Sequence, residues 1–74
     1  MVSQQVIIHC RAAPNGTIVE IGERPQALSP HEWYDFLRAN SIDAYQPFSG
    51  ARGVFRLERA RLEALKLESV KAVA

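Results

Sequence analysis

The 74-residue chain predicts a small α+β domain of β-β-α-β-α order. An N-terminal antiparallel hairpin and a short third strand are expected, with two helices packed on one face. Three observations carry this expectation. Residues 5–23 hold two β-branched runs around the turn text PNG, the pattern of a hairpin. SPHEWYDFLRAN opens with a helix-start signature. After a strand-like alternation in VFRLE, the composition changes to strong helix formers in ARLEALKLESVKA.

In the hairpin, a two-residue Asn15-Gly16 loop opposes Ala12 to Val19, Arg11 to Glu20 and Cys10 to Ile21. Val6, Ile8, Cys10, Ala12, Val19 and Ile21 then share one face. His9, Arg11 and Glu20 take the other, together with Ile7 and Ile18. A slip by one residue would scramble both faces. Pro14 ahead of Asn15 favours instead a three-residue turn with Gly16 at a bulge; the burial pattern outweighs that preference. Gln4 to Arg11 carries no proline or lysine and so reads as an open strand edge.

Ser29 is the expected N-cap of the first helix, Pro30 suits its first position, and Glu32 completes a capping box. Trp33, Phe36 and Leu37 share one face, with Asn40 at its margin and Asp35 and Arg38 opposite. IDAYQPFSGARG, interrupted by Pro47, Gly50 and Gly53, reads as irregular. In VFRLE, Phe55 and Leu57 lie on one side, Arg56 and Glu58 on the other. A second helix is expected from Arg59 or Ala60, with Leu62, Leu65, Ser69 and Val73 along one stripe. Leu67 falls off that stripe, so this helix either meets a partner chain or leaves Leu67 bare.

Length allows one domain over residues 1–74, burying only about 60% of its unfolded surface. With 47% hydrophobic and 23% charged residues, it has a globular composition. So small a core makes self-association as a homodimer an expectation from size alone. Cys10 is the sole cysteine, so an internal disulfide is excluded. MVSQQVIIHC lacks the features of a signal peptide, and no run nears the ~18 apolar residues of a membrane span. A cytoplasmic protein without a membrane partner is expected. The net charge of +1 hides an asymmetry. Residues 1–37 hold two arginines against four acids, and residues 38–74 hold seven bases against four acids. This leaves an anionic partner open without the strongly basic balance of a dedicated DNA-binding domain.

Catalytic and metal chemistry find little support. His9 and Cys10 are adjacent on a strand and point to opposite faces. No C-x-x-C or H-x-x-x-H spacing occurs, so no metal ligands and no cofactor are expected. A core-facing Cys10 has a disfavoured thiolate. Ser29 is used as a cap, and Ser49 lacks a nearby base. No catalytic residue, and no enzyme, is expected.

The stretch SGARGVFRLERARLEAL is the best binding candidate. Gly50 and Gly53 allow a turn whose amides face an anion. Arg52 lies in that turn, Arg56 on the polar side of the strand, and Arg59 and Arg61 at the helix start. Positive charge there opposes the helix dipole by roughly a few tenths of a kcal/mol, and a bound phosphate would reverse the sign. The competing account pairs Glu58 and Glu63 with Arg61 and Arg59. Tyr45 and Phe48 flank the loop as candidate base-stacking residues. The expected function is a small non-catalytic binding protein that meets nucleic acid through Arg52, Arg56, Arg59 and Arg61. The alternative is a homodimeric protein-interaction or regulatory adaptor using the hairpin edge or the C-terminal helix. Phosphate binding by all four arginines requires that they converge on one surface.

Overall fold

The computed structural model describes residues 4–73, with side chains through residue 72. Strands β1 (Gln5–Ala12) and β2 (Ile18–Ile21) form the hairpin, and helix α1 (Pro30–Ser41) follows. A 3-10 turn at Ile42–Ala44 leads into β3 (Tyr45–Phe48). Strand β4 (Arg52–Glu58) then runs directly into α2 (Arg59–Val73). The strands make one antiparallel sheet in the order β2-β1-β4-β3. The α+β architecture is the expected one, with one strand more than the sequence predicts.

The hairpin keeps two of its three expected pairs, Cys10 with Ile21 and Arg11 with Glu20. Ala12, however, pairs with Ile18 rather than Val19, across a bulge. The loop explains the difference. Ala13 N–H donates to the Thr17 carbonyl and Gly16 N–H to the Ala13 carbonyl, while Gly16 adopts φ 89°. Proline and glycine thus set a three-residue loop, and the extra residue in β2 restores the register downstream. Ile18 is consequently buried and Val19 exposed, the reverse of the two-residue-loop expectation.

In α1 the capping box closes in both directions. Ser29 Oγ accepts from Glu32 N–H at 3.2 Å, and a Glu32 carboxylate oxygen accepts from Ser29 N–H at 2.7 Å. Trp33 and Leu37 are fully buried, and the next turn buries Ser41. Its hydroxyl donates to the Leu37 carbonyl at 2.6 Å, satisfying a polar group that the core would otherwise penalise. Asn40 is exposed instead.

The segment expected to be irregular contains β3. Its Pro47 fits because β3 lies at the sheet edge, where a missing N–H breaks no ladder bond. Gly53 is a strand residue, paired with both Cys10 and Pro47. A Cβ there would lie 2.8 Å from the Tyr45 hydroxyl, so close packing rather than a turn requires the glycine. Strand β1 is not an open edge either. It sits between β2 and β4, because β4 supplies a second ladder from Gln5 to Arg11.

One cluster joins Ile8, Cys10, Ile18, Phe55 and Leu57 of the sheet to Leu28, to Trp33 and Leu37 of α1, and to Leu62 of α2. Both helices therefore cover the same sheet face. Leu62 and Ser69 point inward, whereas Leu67 is 67% exposed; the side chain of Val73 lies outside the described residues. Among the described residues, no helix is long and apolar enough to cross a membrane.

Candidate nucleic-acid interface

Side chains alternate along a strand, and directly opposed residues share a face. The register therefore specifies what lies on the sheet side away from the helices. Glu20, Arg11, Arg52 and Phe48 form one row across all four strands. His9, Val54 and Gln46 form the next, followed by Ile7 with Arg56, then Gln5 with Glu58. No described element covers this face. Phe48 is 45% exposed, and Arg11, Arg52, Arg56 and His9 are exposed as well. Val54, between them, is nonetheless buried.

The charges of this face are unevenly matched. Arg11 and Arg52 stand directly opposite each other on the two central strands, an arrangement that costs up to about 1 kcal/mol between like charges. Glu20 pairs with Arg11 from the far side. Arg56 donates to the neutral amide oxygen of Gln46, which leaves its charge uncompensated. Arg52 has no side-chain hydrogen bond or ion pair among the described residues, in contrast to both. Glu58, the remaining carboxylate, lies at the other end of β4. A surface concavity of about 530 Å³ opens at this row, lined by His9, Arg11, Glu20, Phe48, Ser49 and Arg52. A second, of about 500 Å³, shares His9 and Glu20 with it and continues to Arg24.

The turn before β4 places Phe48 opposite Arg52. It does so through left-handed residues at Gly50 (φ 79°) and Ala51 (φ 59°). The expected anion nest of Gly50 and Gly53 does not form, since Gly53 is engaged in the sheet. Of the two flanking aromatics, Tyr45 faces the helices. Its ring lies 4.9 Å from Phe55 and 5.9 Å from Tyr34, with the Arg38 guanidinium over both tyrosine rings. The Tyr34 hydroxyl beside it, and then burial, push the Tyr45 phenol up to about 12. Phe48 alone of the pair meets the arginine row.

The four arginines of the loop and helix start do not converge. Arg52 and Arg56 share the open face, but Arg59 contacts Glu63 at 3.2 Å and Glu23 at 3.5 Å. Arg61 donates twice to the Asp43 carboxylate at 3.1 Å and once to the Asn40 carbonyl. Asp43, not Glu58, is therefore its partner. These hydrogen bonds hold the Asp43 carboxyl below its ordinary range. Glu23 is held low too, first by its hydrogen bond from Lys66 and then by Arg59. Carboxylates thus occupy the place at the α2 start that a phosphate would take. Arg11, by contrast, lies on the open face beside Arg52, although the loop text does not include it. The visible signal was its position opposite Glu20; its neighbour Arg52 lies 41 residues away.

Cys10 is 4% exposed and its thiol donates to the Gly53 carbonyl at 3.4 Å. Burial pushes the thiol up, and His9 lies on the opposite face. Among the described residues, no three His, Cys, Asp or Glu side chains are grouped to hold a metal ion. No family model, no curated protein and no solved structure matches the chain.

Proposed function

We propose that this chain is a non-catalytic, cytoplasmic binding protein that takes nucleic acid on its uncovered sheet face through Arg52, Arg56 and Arg11. The juxtaposition of Arg11 and Arg52 across the central strands, with Arg52 unpaired among the described residues, carries the reading. A phosphate seated there exchanges like-charge repulsion for charge-assisted hydrogen bonds. The buried Cys10 thiol supports a binding role over a nucleophilic one, and a free buried cysteine suits a reducing compartment.

Anisotropy titration with mixed single-stranded DNA and RNA oligonucleotides, at roughly 50 and 200 mM salt, tests this. Binding should weaken steeply with salt. The Arg52→Gln/Arg56→Gln double variant should lower the salt slope by about 1.4 on every sequence alike, roughly 0.7 for each phosphate contact to a single strand. Arg59→Gln/Arg61→Gln should leave the slope nearly unchanged, because those guanidinium groups already face carboxylates. Equal losses from both double variants, or no salt dependence, would sink the proposal.

Leu67 favours a second reading, a homodimeric adaptor. It lies on the side of α2 opposite Leu62 and Ser69, flanked by exposed Ala64 and Val70. An antiparallel second copy centred on Leu67 would bring Glu63 of each helix near Lys71 of the other. Sedimentation at high micromolar concentration should then show a dimer that Leu67→Glu dissociates; a monomeric wild type removes this reading.

A further inference from the structure

Beyond its charge, the open face carries an exposed aromatic ring in register with Arg52, the arginine unpaired among the described residues. Phe48 is 45% exposed on the edge strand, directly opposite Arg52, which is directly opposite Arg11. Neighbouring strands lie about 4.8 Å apart. An apolar ring and two cations therefore follow one another across a span of roughly 10 Å, with the concavity between them. Arg56 is four residues further along β4 on the same face, about 13 Å away.

We infer that the ligand of this face is single-stranded nucleic acid, with one base stacked on Phe48 and the adjoining phosphates held at Arg52 and Arg56, beside the Arg11–Glu20 ion pair. The inference rests on the nucleic-acid reading above and names its substrate class. In a duplex the base faces are closed against one another, and only phosphates and groove edges are on offer. The described face also presents no helix aimed outward to enter a groove, since both helices lie behind the sheet. A single strand can turn a base out onto an aromatic ring while its backbone follows a line of cations. Two neighbouring concavities that share His9 and Glu20 lie along this face from Phe48 to Arg24, and Glu23, which also lines the second, is paired with Lys66 and Arg59. Glu20, at the junction of the two, is neutralised by Arg11.

Three probes separate the outcomes: a 12-nucleotide oligo-dT strand, a 12-base-pair duplex, and inorganic polyphosphate. The wild-type protein should bind the single strand more tightly than either other probe. Phe48→Ala should weaken single-strand binding about tenfold, with the salt slope unchanged and polyphosphate binding unaffected. Phe48→Tyr, which keeps a ring to stack on, should bind like the wild type; unchanged polyphosphate binding and circular dichroism of Phe48→Ala show that the edge strand is kept. Binding of all three probes with a normal salt slope but no Phe48 dependence would overturn this inference and leave the nucleic-acid reading standing. A tighter duplex than single strand would overturn it equally. Failure to bind any of the three would remove both.

Discussion

Trp33→Ala should leave the protein largely unfolded in water at room temperature. The indole is fully buried at the centre of the core, stacked at 6.3 Å on Phe36. Its ring N–H donates to the Gly22 carbonyl at 3.1 Å. Truncating a buried tryptophan costs about 3–5 kcal/mol, comparable with the whole stability of a small domain. The lost hydrogen bond adds to the penalty, because the Gly22 carbonyl at the end of β2 loses its partner. Urea denaturation followed by far-UV circular dichroism checks this. Trp33→Phe should fall well short of the alanine variant, since it keeps most of the apolar volume. A stable alanine variant would mean that the ring is not what joins α1 to the hairpin.

Leu62→Ala should destabilise by about 2–5 kcal/mol, while Leu67→Ala should stay within about 0.5 kcal/mol in the monomer. The two leucines differ by five positions in one helix, yet Leu62 is fully buried and Leu67 is two-thirds exposed. Denaturant midpoints of the two variants test the orientation of α2 directly. Similar losses for both would show that Leu67 is covered in solution. That outcome would draw the homodimer and the monomer fold into a single equilibrium.

Helix α1 was legible residue by residue, because a cap and an apolar stripe are local. Ser29, Glu32, Trp33 and Leu37 lie within two turns, and no distant residue is needed to place them. The hairpin was legible where burial dictated it, at Cys10–Ile21 and Arg11–Glu20. It was not legible at Val19, where turn chemistry and the burial pattern point to different registers. A bulge satisfies both, at the cost of one residue without a partner. Strand β3 was missed because Pro47 and Gly50 argue against a strand interior, and only its place at the edge makes the proline harmless.

The candidate site divides the same way. Residue types and strand alternation determined that Arg56 lies on the polar side of its strand, away from Phe55 and Leu57, and that Arg11 lies opposite Glu20. They also placed Cys10 in the core and His9 away from it. Only the tertiary structure decided which arginines remain available. Asp43 reaches Arg61 across 18 residues, a partner that no local spacing announces, whereas Arg59 meets Glu63 one turn on, as the sequence allows, and Glu23 across 36 residues besides. The pairing of β4 with β1 places Arg52 beside Arg11, and the turn at Gly50 brings Phe48 to the same row. Local propensities set what each segment can become, because they act within a few residues along the chain. Which face stays bare, and which charges meet on it, depends on contacts that exist only once distant segments share a sheet.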